Sequence, residues 1–169
     1  MAVVVPLASS SLAAQVRIGV GGGVLLPTGT YNTTDKAGWV GAGDVTYWLP
    51  AGALGVRAEA SYGQTTQQSG TGNTKIAGGM AELVWALGRP ADLARFYVLG
   101  GIGAFNVNID VAGISGSETK VGFGAGGGVA LKLGTGSTRV FVEGRYTSVS
   151  TSGRSISFIP IRAGVRFGT

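Results

Sequence analysis

Inside segments that otherwise read as apolar strand, the charged residues of this chain keep a two-residue phase. In residues 53–63, Leu54, Val56, Ala58, Ala60 and Tyr62 occupy one phase, and Gly55, Arg57, Glu59, Ser61 and Gly63 the other. A strand turns successive side chains to opposite faces, so one face here is apolar and the other charged or bare. Residues 138–147 repeat the pattern, with Val140, Val142, Gly144 and Tyr146 against Arg139, Phe141, Glu143, Arg145 and Thr147. Residues 158–167 do so again, with Ile159, Ile161, Ala163, Val165 and Phe167 against Pro160, Arg162, Gly164 and Arg166. Three well-separated segments share one code.

Composition narrows its meaning. Charged residues are 12% of the chain and glycines number 32 of 169, against about 25% charged residues in ordinary soluble domains. A water-facing sheet surface needs more charge than that. The length suits one domain. No apolar run reaches the roughly 18 residues of a spanning helix, which argues against an α-helical membrane protein but not against a membrane.

Cysteine and histidine are both absent. There is thus no disulfide framework or thiolate chemistry, and neither the commonest metal ligand nor the usual general base is available. The net charge of +5 comes from 13 Lys and Arg against 8 Asp and Glu. Yet Arg17, Arg57, Lys120, Arg139, Arg145, Arg162 and Arg166 are spread through the alternating segments and interleaved with Glu59, Glu82 and Glu143. A nucleic-acid footprint clusters on one face instead, so no nucleic-acid partner is expected. Gly122-Phe123-Gly124-Ala125-Gly126-Gly127 matches a dinucleotide-binding pattern, but it lies in a continuous alternating run with no helical pattern after it. The three glutamates invite comparison with a paired-carboxylate catalytic site, but charge pairing explains them more simply. No catalytic residue, cofactor or metal site is expected.

Residues 1–15, MAVVVPLASSSLAAQ, are apolar and small, and Ser11-Leu12-Ala13-Ala14 resembles a signal-peptide cleavage region. They are expected to be a signal-peptide remnant, with residues 16–169 forming the barrel domain described next. No Lys or Arg precedes the apolar stretch, and the alternative is a flexible or first-strand extension. Strands are predicted at 16–26, 39–49, 53–63, 74–87, 95–107, 119–133, 138–147 and 157–167. Polar connections follow the odd strands and shorter turns the even ones. The fold class is therefore all-β: an eight-stranded antiparallel up-and-down transmembrane β-barrel, each strand long enough to cross a bilayer core. Aromatics gather at both strand ends, with Tyr47, Trp48, Trp85, Phe96, Tyr97 and Phe167 by the short turns and Trp39, Tyr62, Phe105, Tyr146 and Phe158 by the long loops. They predict two interfacial girdles.

Phe96-Tyr97-Val98-Leu99-Gly100-Gly101-Ile102-Gly103, Phe141-Val142-Glu143-Gly144-Arg145-Tyr146 and the closing Ile161-Arg162-Ala163-Gly164-Val165-Arg166-Phe167 resemble the small outer-membrane β-barrel family of Gram-negative bacteria, the OmpA/OmpX-like eight-stranded barrels. The resemblance spans residues 16–167. It implies a bacterial outer-membrane location, contact with outer-membrane lipid and lipopolysaccharide, and a closing segment read by the barrel-insertion machinery. It also implies roles such as envelope integrity, surface adhesion or small-solute leakage, with recognition carried by outward loops toward an unidentified extracellular ligand.

An eight-stranded barrel leaves an interior that side chains can just fill. The inward phases of the first and sixth strands offer Gly19, Gly21, Gly23, Gly122, Gly124, Gly126 and Gly128, which leave room for long neighbours. A lumen charge ladder is expected from Arg17, Asp44, Arg57, Glu59, Glu82, Glu143, Arg145 and Arg162, because unpaired buried charge is costly. Arg57, Arg145 and Arg162 are expected to reach Glu59, Glu82 and Glu143, with Asp44 as a further acceptor. A plugged, non-enzymatic structural barrel is the main reading, and a narrow pore for small solutes or ions is the alternative. A lipid-modifying barrel enzyme would resemble relatives that rely on histidine, and a soluble lipocalin-like carrier would need an apolar interior.

Overall fold

The computed structural model describes residues 16–168 except 34, 69–71, 112–113 and 152–153, and leaves out the side chains of 30, 110, 111, 114, 115, 151 and 154. The expected signal remnant, residues 1–15, lies outside the described residues. The chain forms β1 (Val16–Thr28), β2 (Gly38–Trp48), β3 (Leu54–Thr66), β4 (Gly72–Ala86), β5 (Ala94–Val111), β6 (Ile114–Lys132), β7 (Arg139–Thr151) and β8 (Arg154–Gly168), with a 3₁₀ turn (Gly29–Thr33) after β1. Each strand pairs antiparallel with its chain neighbours, and β8 returns to β1 from Arg17↔Gly168 to Thr28↔Ser157. The barrel is closed. No sheet edge is left to face hydrocarbon, where an unpaired amide finds no water.

The three short connections each place a glycine in the left-handed region, with φ of 69° at Gly52, 86° at Gly88 and 62° at Gly134. At the opposite end the strands run further than hydropathy predicts. β5 and β6 pair out to Val111↔Ile114. Apolar alternation marks the membrane-embedded part, whereas backbone pairing continues into water. There Asn106 donates to Thr119 Oγ1 at 3.1 Å, and Ser117 donates to Asn106 Oδ1 at 3.1 Å. Opposite Pro160 the β7–β8 ladder lapses between Gly144↔Ile161 and Thr147↔Phe158, since proline has no amide hydrogen to donate.

The alternation resolves into two faces. Ile18, Val20, Val45, Val56, Leu83, Ile102, Val121 and Val142 point outward. Arg57, Glu59, Glu82, Glu143, Arg145 and Arg162 point inward and are buried. Among the described residues, the outer face between the two aromatic levels carries no charge. The girdles are thinner than predicted. Trp85, Phe96 and Phe167 are exposed on the turn side and Trp39, Tyr62 and Tyr146 on the loop side, with the Trp39 and Tyr62 ring centroids 5.6 Å apart. Tyr97, Phe105 and Phe158 instead lie buried inside, and Trp48 packs against an interior cluster. Phase decides this: Tyr47 and Trp48 are consecutive, as are Phe96 and Tyr97, so only one of each pair can face the lipid.

The interior is tiered. A loop-side apolar cluster contains Leu25, Tyr31, Val40, Ile76, Met80, Phe105, Val107, Val149 and Phe158. A turn-side cluster contains Val84, Ala86, Tyr97, Leu99, Ala130 and Phe141. The buried charges share the interior with both clusters.

The two faces make a direct prediction. Val142, 52% exposed on the outer face, becomes a lipid-facing cation in Val142→Arg, at a cost of about 2–4 kcal/mol near the bilayer midplane. Urea unfolding from vesicles of two acyl lengths should show a larger penalty in the thicker bilayer. An unaltered midpoint would mean that the faces are reversed.

Candidate functional site

The site most dense in chemistry is the charged layer inside the barrel. Arg57 donates to Glu143 Oε2 at 2.8 Å and lies 3.6 Å from Glu82 and 3.7 Å from Asp44. Arg145 donates to Glu82 at 2.5 Å and to Glu59 at 2.7 Å. Arg162 bridges Glu59 and Glu143, 2.6 Å to each. Arg166 reaches Asp44 at 3.2 Å and Glu143 at 3.1 Å. Glu59, Glu82 and Glu143 each meet a guanidinium within 2.8 Å, the range of charge-assisted hydrogen bonds, and Asp44 accepts a longer one.

The backbone makes room for these side chains by setting glycine opposite them. In register, Glu82 faces Gly101, Glu143 faces Gly128, Arg145 faces Gly126, Arg162 faces Gly23 and Arg166 faces Gly19. A Cβ at Gly128 would lie 2.6 Å from the Tyr97 hydroxyl, and one at Gly124 would lie 3.1 Å from Arg145 Cδ. Tyr97 fills the space so left. It donates to Glu143 Oε2 at 2.9 Å and accepts from Arg166 at 2.9 Å. Glu143 is therefore the hub, holding Arg57, Arg162, Arg166 and Tyr97 at once.

Of the eight residues named from sequence, Asp44, Arg57, Glu59, Glu82, Glu143, Arg145 and Arg162 meet in this layer. Arg17 does not. It is half-buried at the turn-side rim and donates to the Ser137 carbonyl at 2.8 Å. Arg166 and Tyr97 were missed as members, although Arg166 stands on the inward phase. The signal that places it is register: Gly19, its β1 partner, leaves the guanidinium free to lean toward Asp44. Two further inward arginines, Arg95 and Arg139, are buried toward the short turns.

The interior is nearly filled. One cavity of about 10 Å³ lies among Leu25, Val40, Ile76, Phe105, Phe158, Arg145 and Arg162. Another of about 30 Å³ lies on the turn side among Arg17, Trp48, Arg57, Arg95, Tyr97, Arg139 and Arg166. Over the loop-side mouth, the 3₁₀ turn tucks Tyr31 into the apolar cluster. The Thr65 hydroxyl donates to Asp35 Oδ1 at 2.8 Å, so its 2.7 Å contact with Tyr31 makes Tyr31 the donor. Burial pushes the Tyr31 hydroxyl up to about 12.

The family description "Outer membrane protein beta-barrel domain" matches residues 1–167. The chain belongs to this outer-membrane β-barrel family. Its place is the bacterial outer membrane. No curated protein sequence matches it. Among solved structures, the barrel is similar to Neisserial surface protein A, with a TM-score of 0.72, 13% identity and coverage of 91% of this chain and 97% of the other. It is also similar to the N-terminal β-barrel domain of Pseudomonas aeruginosa OprF, with a TM-score of 0.56, 16% identity and coverage of 91% and 98%. A third similar structure is Ail, the attachment invasion locus protein of Yersinia pestis, in complex with the heparin analogue sucrose octasulfate, with a TM-score of 0.53, 17% identity and coverage of 90% and 97%. At these identities the likeness is one of fold.

In this outer-membrane barrel the hub makes a sharp test. Glu143→Ala takes one carboxylate partner from each of three buried guanidiniums, and losing one partner of a buried ionic network costs about 3–5 kcal/mol. Urea unfolding should report that loss with little dependence on acyl length, and Glu143→Gln should fall between the two proteins.

The loop-side mouth makes another. The unfolded phenol titrates near 10 and the folded one at about 12, so the native state holds its proton longer. The stability this supplies is complete below pH 10 and is lost as pH rises toward 12. The urea midpoint should therefore fall between pH 10 and 12, and Tyr31→Phe should lessen that fall.

Proposed function

We propose that this protein is a non-enzymatic structural and surface-interaction barrel, sealed through its lumen, whose loop-side strand extensions carry recognition. The observation that carries the reading is the filled interior: two apolar clusters and the Arg–Glu network occupy the bore, and cavities among them measure about 10 and 30 Å³. Eight strands allow no wider channel once such side chains are in place. A conducting path would require several buried ion pairs to part together.

The loop side supports the recognition half of the proposal. β4, β5 and β6 continue past the apolar band as a three-stranded polar ribbon, with Asn73 paired to Asp110 and Asn108 to Ser117. Ser117, Glu118 and Thr119 are exposed there. Edges rich in amide and hydroxyl groups suit polar ligands at a cell surface. Ail, which shares the fold, is seen with a sulfated heparin analogue, and a polar saccharide is a reasonable class to test here. The outer belt with its aromatic ends suits outer-membrane lipid and lipopolysaccharide, and the closing β8 segment ending near Phe167 suits the barrel-insertion machinery.

Cysteine at Gln68 should label with an impermeant maleimide on intact cells, whereas cysteine at Thr135 should label only after the envelope is opened. The refolded protein should show no sustained conductance in planar bilayers. Steady ion-selective steps would overturn the sealed-lumen reading in favour of a narrow pore.

A further inference from the structure

The inner charges divide unevenly along the barrel axis. Asp44, Glu59, Glu82 and Glu143 are matched one for one by Arg57, Arg145, Arg162 and Arg166. Arg17, Arg95 and Arg139 are left over. Among the described residues, no carboxylate oxygen lies within 4 Å of any of the three. Their acceptors are carbonyls: Ser137 for Arg17 at 2.8 Å, Gly52 for Arg95, and Pro90, Asp92 and Ala130 for Arg139 at 2.7, 2.9 and 3.3 Å. The Asp92 carboxylate, which accepts from the Arg89 amide at 2.7 Å, is the nearest countercharge to Arg95 and Arg139 but makes a direct ion pair with neither.

The surplus is concentrated by register. Lys132 stands opposite Arg139, and Arg139 opposite Arg166, so three cations run side by side across β6, β7 and β8. Like charges directly opposite on a sheet destabilise it. Two donors on the wall of the same 30 Å³ cavity also lack an acceptor: Nε of Arg95, a residue 6% exposed, and the indole Nε1 of Trp48. The Arg95 guanidinium stacks on the Trp48 ring, 4.6 Å from its centroid. A water needs about 10–15 Å³ and would satisfy a donor, but it would leave the charge. A compact oxyanion answers both needs.

We infer that the turn-side cavity of the lumen is an oxyanion site for a phosphate group, held by Arg95 and Arg139 with Arg17 at its entrance. Guanidinium forks match phosphate oxygens, and clustered arginine is the side-chain set that recognises them. The site follows from the interior geometry alone and stands apart from the proposed surface role. Its phosphate has two chemical sources, the free anion or a phospholipid headgroup.

Trp48 supplies the reporter. Of the three tryptophans, Trp39 and Trp85 are 52% and 58% exposed on the lipid face, and replacing both with phenylalanine leaves Trp48 alone against Arg95. With that full-length protein folded in phosphate-free maltoside micelles, inorganic phosphate should shift Trp48 emission saturably, sulfate should compete, and chloride at equal ionic strength should not. Arg95→Gln and Arg139→Gln should each raise the Kd at least tenfold. Because each removes surplus charge, both should unfold in urea no earlier than the parent without phosphate, while phosphate should delay unfolding of the parent alone. In nanodiscs of phospholipid, emission already at its saturated value would assign the headgroup as source. A full response to added phosphate would assign the free anion. No saturable shift in micelles, or a Kd unchanged in folded Arg95→Gln and Arg139→Gln, would overturn the site.

Discussion

Hydrocarbon offers a peptide group nothing to bond with, and that constraint organises this molecule from the outside in. Every strand must find a partner on both sides, so the chain has to return to its own beginning, as the β1–β8 ladder does. Closing with eight strands fixes the bore. The outer phase must then be apolar throughout the band, and the inner phase receives all the polarity, in a space too narrow for water to screen it. The charge pairing, the inner glycines and the aromatic plug are consequences of that closure.

The ionic layer need not add much net stability, since taking charges out of water costs about what their pairing returns. What it supplies is discrimination. A one-residue slip of any strand would exchange its faces, placing Arg57 or Glu143 in lipid and Val56 or Val142 against the charges inside. The glycine partners sharpen this. Arg162 fits beside Gly23 and Arg166 beside Gly19 in a single register, and Ile18 or Val20 in those positions would collide with them.

The fold was legible because a lipid-facing barrel has an unusually strict sequence code: alternation gave the faces, and the contrast of long and short connections gave the strand count. Seven members of the ionic layer could be read the same way, since phase alone decides that Arg57 and Glu59 share the lumen. Three things were harder. The reach of β5 and β6 into water is carried by backbone pairing and amide side chains that look like loop. Interior Phe105, Phe158 and Tyr97 resemble girdle residues in sequence, because proximity to a strand end is visible there and the strand's exact phase is less so. Arg17 and Arg166 stand on the same inner face, and only height along the axis, set by the sheet's stagger, decides that one meets Asp44 and the other a turn carbonyl.

The network's connectivity also bears on how such a barrel comes together. Arg57 and Glu143 are 86 residues apart, and Arg162 and Glu59 are 103 apart. The first pair joins β3 to β7 and the second β3 to β8, strands that never share a ladder. Adding strands one after another to a growing sheet therefore satisfies few of these charges. The cross-lumen pairs meet only when the sheet curls shut and its two margins join. A partly built sheet carries those groups without their cross-lumen partners along a concave wall, where water or an assembly factor must solvate them. Final closure then expels that water and makes the cross-lumen bonds together. The interior charges thus act as a latch that reports completion, distinguishing a finished cylinder from an open ribbon with identical local pairing.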